Sequence, residues 1–314
     1  MLSEKERLIH ALSGVRCDRP PVITPGGMMS FLTTDLLEAN GIDGARVVSE
    51  AQTMAYAAEI VRDASGLESL GVPFCLTVEA EALGATVSIG TTKVEPMLVE
   101  CAVADVRGIS ALSVPEPDRN GRMAEVLEAI HLLKERNQDV ATIGNLSGPV
   151  TLATSIIPYE DFFRLRIKTK AAAKAVIDVA VETSIRLGTA LVRSGADVIA
   201  VSDPTAAGEI IGPRVFETYF VPEYQRIFST LAASGAKTIL HICGNVRNVL
   251  PSIASCGADA FSMDSMMSVK RTRAELTTMP IMGNVSTLLL VKGHQKGIER
   301  AVRKIITEGA DIVA

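Results

Sequence analysis

Residues 238–245 read TILHICGN, an apolar run that ends in His241, Cys243 and Gly244. On an extended strand, residues two apart face the same side, with Cα atoms roughly 6.5–7 Å apart. That spacing lets one imidazole nitrogen and one thiolate sulfur reach a single ion. The fold then turns on whether the surrounding chain builds a container around this strand end.

Similar runs recur on both sides of it. Strand-like segments fall at 21–24, 72–78, 140–145, 197–203, 237–243, 260–264, 280–284 and 311–314, with helical stretches at 122–136, 169–194, 213–233, 246–255, 270–277 and 296–308. Apolar strands alternating with amphipathic helices indicate a parallel sheet covered on both faces. Eight such units specify an α/β chain with a (β/α)8 TIM barrel, as one domain over residues 1–314. The junctions Gly195-Ala196-Asp197, Gly257-Ala258-Asp259 and Gly309-Ala310-Asp311 support one repeated unit, because glycine ends each preceding helix in a left-handed cap. A doubly wound sheet would require a glycine fingerprint after its first strand, and Gly26-Gly27 is too short a match. Ser3 and Glu6 form a capping box for a helix over 4–12. With helices over 33–40 and 44–64, it gives the barrel an N-terminal helical extension. Residues 79–103, with Gly84, Gly90 and alternating Val and Ser, read as a β-hairpin inserted after the second strand. The chain stops at Ala314 inside the expected eighth strand, which reads as a truncated end of a longer protein.

The 314 residues are 47% hydrophobic and 21% charged, enough for a large buried core. A net charge of −5, no basic run and no Trp exclude nucleic acid as a partner. The N-terminal MLSEKERL lacks a signal-peptide core and no apolar stretch is long enough to span a membrane, so a cytoplasmic protein is expected. Five scattered cysteines fit free thiols in a reducing compartment.

Barrel chemistry lies at the C-terminal ends of the strands. Those ends carry Thr24, residues 75–79, Asn145, Asp203, His241, Cys243, Asp264 and Asn284. Thiolate plus imidazole suits zinc, which needs about three protein ligands for catalysis. His241 and Cys243 are the metal candidates. Cys256 ends the following helix and belongs at the opposite face; Cys101 falls in the hairpin as a structural residue. Cys75 is expected to line the pocket, and Asp264, on the adjacent strand, can offer an oxygen. Asp203 and Asn145 read as orienting substrate or holding the strand ends; Asp203, before Pro204, is equally a turn-former. Asn284 is a cofactor contact or a loop hydrogen-bonder. Met28, Met29, Met266 and Met267 fall in loops at this face and could form an adaptable apolar rim.

LHICG at 240–244, with DVIA at 197–200 leading to Ser202-Asp203-Pro204, resembles the uroporphyrinogen decarboxylase superfamily. VPFCLTV at 72–78, GPVTLA at 148–153 and GNV at 283–285 extend the resemblance along essentially the whole chain. Within the superfamily the chain is most similar to the methylcobamide:coenzyme M methyltransferases. The resemblance implies a zinc site of pattern His-x-Cys, completed by a distant Cys beyond the eighth strand, past Ala314. It implies methyl transfer from methylcobalamin, carried by a separate corrinoid protein, to a small thiol such as coenzyme M. Asp264 would be a fourth ligand displaced by the thiol, and Met28 and Asn284 would lie against the corrinoid. A corrinoid-dependent demethylase acting on a small O- or N-methyl compound is the alternative; a non-catalytic corrinoid carrier leaves the His-Cys pair unexplained. The decarboxylase branch binds its substrate with an arginine-rich stretch after the first strand, where this chain reads TPGGMMS at 24–30 with no arginine.

Overall fold

The computed structural model describes residues 2–24 and 31–314. Seven parallel strands lie side by side in the order Ser69–Val72, Ala141–Ser147, Val198–Ser202, Lys237–Ile242, Ala260–Met263, Ile281–Gly283 and Ile312–Val313. Val22 takes the remaining place. It bridges in parallel to Val313, Ile23 N–H donates to the Val313 carbonyl at 3.0 Å, and Glu68 N–H donates to the Val22 carbonyl at 2.8 Å. These bonds close the ring. The first strand is cut to a bridge, and Pro20 and Pro21 before it have no N–H to give a ladder.

Side chains of alternate strand residues fill the lumen. Ile23, Ala141, Ile143, Val198, Ala200, Ile239, Ala260, Met282 and Ile312 form this inner core, closed from below by Leu8, Ala11 and Leu12 of the helix Glu4–Leu12. The expected capping box starts that helix: Glu6 N–H donates to Ser3 Oγ at 3.2 Å, and Ser3 N–H to Glu6 Oε2 at 2.8 Å. Beside it, Arg7 donates to Glu68 at 2.6 Å and to Asp18 at 2.9 Å, while Arg19 also grips Glu68.

The three Gly-Ala-Asp junctions are real, and their aspartates do more than follow a cap. Gly195, Gly257 and Gly309 have φ of 117°, 89° and 106°. Each Asp then accepts the N–H at the start of the preceding strand: Thr142 to Asp197 at 3.1 Å, Thr238 to Asp259 at 2.8 Å, Ile281 to Asp311 at 2.8 Å. Glycine stops the helix and aspartate pins the next strand to its neighbour's start.

Several boundaries differ from expectation. The second strand is Ser69–Val72, not 72–78, because Pro73 cannot donate to the ladder; the chain turns there and enters the helix Val78–Ala82. The inserted hairpin follows, Thr86–Ser88 antiparallel to Met97–Glu100. The stretch 44–64 divides into Gly44–Val47 and Ala51–Ser65, and 246–255 holds only the short helix Leu250–Ile253. Pro149–Ile156 and Tyr159–Lys168 are helices without a counterpart in the sequence reading, each opened by a proline at or before its first turn. The helix expected over 213–233 contains a π-helical turn, Phe216–Phe220.

Candidate metal centre and active site

Following the inward-facing positions up the strands, the lining changes from aliphatic to polar. Asn145, Ser202, His241 and Ser262 continue the alternation that places Ile143, Ala200, Ile239 and Ala260 in the lumen. Ser202 is in register with His241, and His241 with Ser262. The strand period therefore sets a ring of hydrogen-bonding groups just below the barrel mouth.

His241 is the centre of this ring. Its Nδ1 lies 3.0 Å from Ser262 Oγ and its Nε2 lies 3.0 Å from Cys243 Sγ. Burial pushes the imidazole pKa down to about 4, against the opposing Asp264 charge, so the ring is neutral near pH 7. Burial, and then the Asp264 charge, push the Cys243 thiol up. With both groups neutral, the tautomer that carries its proton on Nδ1 donates to Ser262 Oγ and accepts the Cys243 S–H at Nε2, and the other tautomer reverses both bonds. In either one Nε2 and the sulfur converge on one point, as the H-x-C spacing requires.

The loops around the pair are tied together by backbone donors. Gly244, at φ 76°, donates its N–H to Asp264 Oδ2 at 2.9 Å, and Met266 N–H donates to Asp264 Oδ1 at 2.9 Å. Burial opposes ionisation of Asp264, but these donors hold its carboxyl below the ordinary range. Asn284 Nδ2 donates to the carbonyls of Asp264 at 2.8 Å and Met267 at 2.9 Å. Asp264 and Asn284 thus link the ends of the fifth, sixth and seventh barrel strands. Among the described residues, no group of three His, Cys, Asp or Glu side chains is placed to hold a metal ion.

A cavity of about 380 Å³ opens over the pair. Ser202, His241, Cys243, Ser262, Asp264 and Asn284 supply its polar lining, and Phe31, Leu76 and Leu290 part of its apolar wall.

The other sequence candidates fall elsewhere. Asp203 is fully buried. Its carboxylate accepts from Val150 N–H at 3.0 Å, Thr151 N–H at 2.7 Å, Thr151 Oγ1 at 2.6 Å and Tyr224 OH at 2.6 Å. With four donors it caps the helix Pro149–Ile156, and it is not in the cavity wall. Asn145 is buried, accepts from Ser202 Oγ at 3.0 Å and is not in the cavity wall. Cys75 is also absent from that wall. The early turn at Pro73 carries it under Arg122, whose Nη1 lies 3.3 Å from its Sγ, and Leu76 takes the lining position instead. Met28 and Met29 lie outside the described residues. Met266 is exposed and Met267 buried. Cys256 is buried and donates to the Ser252 carbonyl at 3.4 Å, while Cys101 lies 3.8 Å from the Thr154 carbonyl. Ser262 and Ser202 were missed, although counting back two residues from Asp264 reaches the first.

The uroporphyrinogen decarboxylase (URO-D) model matches residues 3–314. The chain is 30% identical over 313 residues to the methylcobamide:CoM methyltransferase MtbA of Methanosarcina mazei, covering 98% of this chain and 90% of that protein. It is 31% identical over 318 residues to the methylcobamide:CoM methyltransferase MtaA of Methanosarcina barkeri, covering 99% and 91%. A solved structure, a methyltransferase from Methanosarcina mazei, superimposes with a TM-score of 0.92 at 31% identity, covering 100% of this chain and 92% of that one. The chain therefore belongs to the uroporphyrinogen decarboxylase family.

Proposed function

We propose that this chain is a cytoplasmic methyltransferase that moves a methyl group from a methylated corrinoid to a small thiol such as coenzyme M, with His241 and Cys243 holding part of a zinc site. The observation that carries the reading is the convergence of His241 Nε2 and Cys243 Sγ, 3.0 Å apart, in the wall of the mouth cavity. Donors sharing a tetrahedral zinc at ordinary bond lengths stand roughly 3.5 Å apart. A small opening of the pair, with loss of the Cys243 proton, would admit the ion, so the donor set fits two of its positions. Bound there, zinc would keep an acceptor thiol deprotonated and nucleophilic.

The chain's own residues supply the rest. Ser262 holds the imidazole with its Nε2 lone pair toward Cys243. Asp264, through Gly244 and Met266, fixes the turn that presents the cysteine. The apolar wall would shield the acceptor sulfur from water, and attack of that sulfur on the methyl carbon would break the carbon–cobalt bond and leave its electron pair on cobalt. A corrinoid carried on a separate protein would approach over the mouth, where Met266, Leu288 and Val291 are exposed. No helix among the described residues is long and apolar enough to cross a membrane.

The test is metal analysis of the full-length protein joined to an optical assay of methylcobalamin with coenzyme M. The expected result is about one zinc per chain, with thiol-dependent loss of the methylcobalamin spectrum. Only traces of zinc in active protein, or zinc content unchanged in His241→Ala, would remove the reading.

A further inference from the structure

On the outer helical layer, a cleft of about 250 Å³ lies between Tyr159–Lys168, Lys170–Ser194 and the segment 213–233. Ala173 and Ile177 are its buried apolar lining, and Arg166, Lys170 and Lys174 bring three cations to it in a chain of net charge −5. The charges are not neutralised alike. Lys174 pairs with Asp178 at 2.5 Å, and the cleft's one acid, Glu223, faces Arg226 at 3.8 Å. Among the described residues, no carboxylate pairs with Arg166 or Lys170.

Arg166 is held in an unusual way. Its guanidinium carbon lies 5.4 Å from the ring centroids of both Phe163 and Tyr219, and its Nε is buried with no acceptor. Contact with two rings orients the guanidinium. A desolvated donor left unmade is costly, and the half-buried guanidinium has two rings but, among the described residues, no carboxylate beside it. Tyr219 belongs to the π-turn Phe216–Phe220, a distortion that recurs at functional sites.

We propose that this cleft is a second binding site, for a small oxyanion on a flat apolar body, of the aryl phosphate or aryl carboxylate class. The guanidinium offers an N–H fork matched to two anion oxygens. Lys170 adds a second charge, and Ala173 and Ile177 underlie the apolar body. The site does not depend on the metal centre.

The test titrates the full chain with phenyl phosphate, benzoate, inorganic phosphate and benzyl alcohol, by calorimetry and by tyrosine fluorescence, which no Trp obscures. Phenyl phosphate or benzoate, or both, bind at least about tenfold more tightly than inorganic phosphate and benzyl alcohol, and Arg166→Gln removes about tenfold or more of that affinity. The stronger of the two aryl anions assigns the head group. Tyr219→Leu keeps an apolar wall but frees the guanidinium, and gives a smaller loss. Zinc content and methyl transfer remain those of the wild type in Arg166→Gln. Inorganic phosphate binding as tightly as the aryl anions would reduce the cleft to a basic surface. Wild-type affinity in Arg166→Gln, or no binding by either aryl anion, would overturn the site.

Discussion

Leu8 and His241 stand at opposite ends of one barrel lumen, and their surroundings differ in kind. Around Leu8 the lumen is aliphatic and sealed by the helix Glu4–Leu12, with an Arg7–Glu68–Arg19 network and Asp18 fastened across the base. Around His241 the same strands present Ser202 and Ser262, and the end stands open to a cavity. One end is filled with packed aliphatic side chains and ion pairs; the other gathers donors and acceptors around a space. The contrast teaches that stability and chemistry occupy different layers of the same strands, two or three residues apart.

The largest effect should come from the sealed end. Leu8 is fully buried, so Leu8→Ala is expected to lose about 2–5 kcal/mol of stability. Urea unfolding measures it, with zinc per folded chain unchanged. A loss under about 1 kcal/mol, or a parallel fall in zinc binding, would mean that the two ends are not separate.

The matching change at the open end is Ser262→Ala. It removes the acceptor for His241 Nδ1–H while leaving both proposed metal donors in place. Zinc affinity should fall about 10–100-fold, the usual scale for a group supporting a metal ligand. Competition with a chelator reads that loss, and ¹⁵N spectra of the metal-free protein should show that His241 no longer holds a single tautomer. Ser262→Thr should restore most of the affinity. Unchanged affinity in Ser262→Ala would show that the imidazole is oriented by packing alone.

The same contrast explains what the sequence made legible. The barrel could be read because strand and helix periods repeat, and because the Gly-Ala-Asp junctions mark helix ends. His241 and Cys243 could be read because two residues on one strand carry their own geometry. Asp203 could not, since its role depends on Val150, Thr151 and Tyr224, which come from other parts of the chain. Cys75 was misplaced by one prolyl residue: Pro73 ended the strand early and changed which neighbour faced the cavity. Ser262 had no signal of its own; a serine two residues before an aspartate gains meaning only when the register sets it beside His241.

The smallest expected effect concerns pH, and it has opposite signs for Asp18 at the base and Glu79 near the mouth. At the base, hydrogen bonding to Arg7 holds Asp18 down to about 2. Glu68 is also lowered, because Arg19, Val22 N–H and Arg7 outweigh its burial. Carboxyls depressed on folding contribute stability that is present above their unfolded values, near pH 4, and is lost as pH falls toward 2. Near the mouth, Glu79 is fully buried and its carboxyl is pushed up by that burial, although Ser147 N–H, at 2.6 Å, partly opposes the shift. A carboxyl raised on folding acts in reverse: its contribution is present below the unfolded value and is lost as pH rises through the folded one. Urea midpoints between pH 2 and 8 separate the two. Asp18→Asn should flatten only the acid limb, below about pH 4, because the group at the base then has no proton to take up. Glu79→Gln should flatten only the slope above that pH, because the neutral amide needs no ionisation inside the fold. If both variants change the same limb, the opposite shifts assigned to Asp18 and Glu79 are wrong.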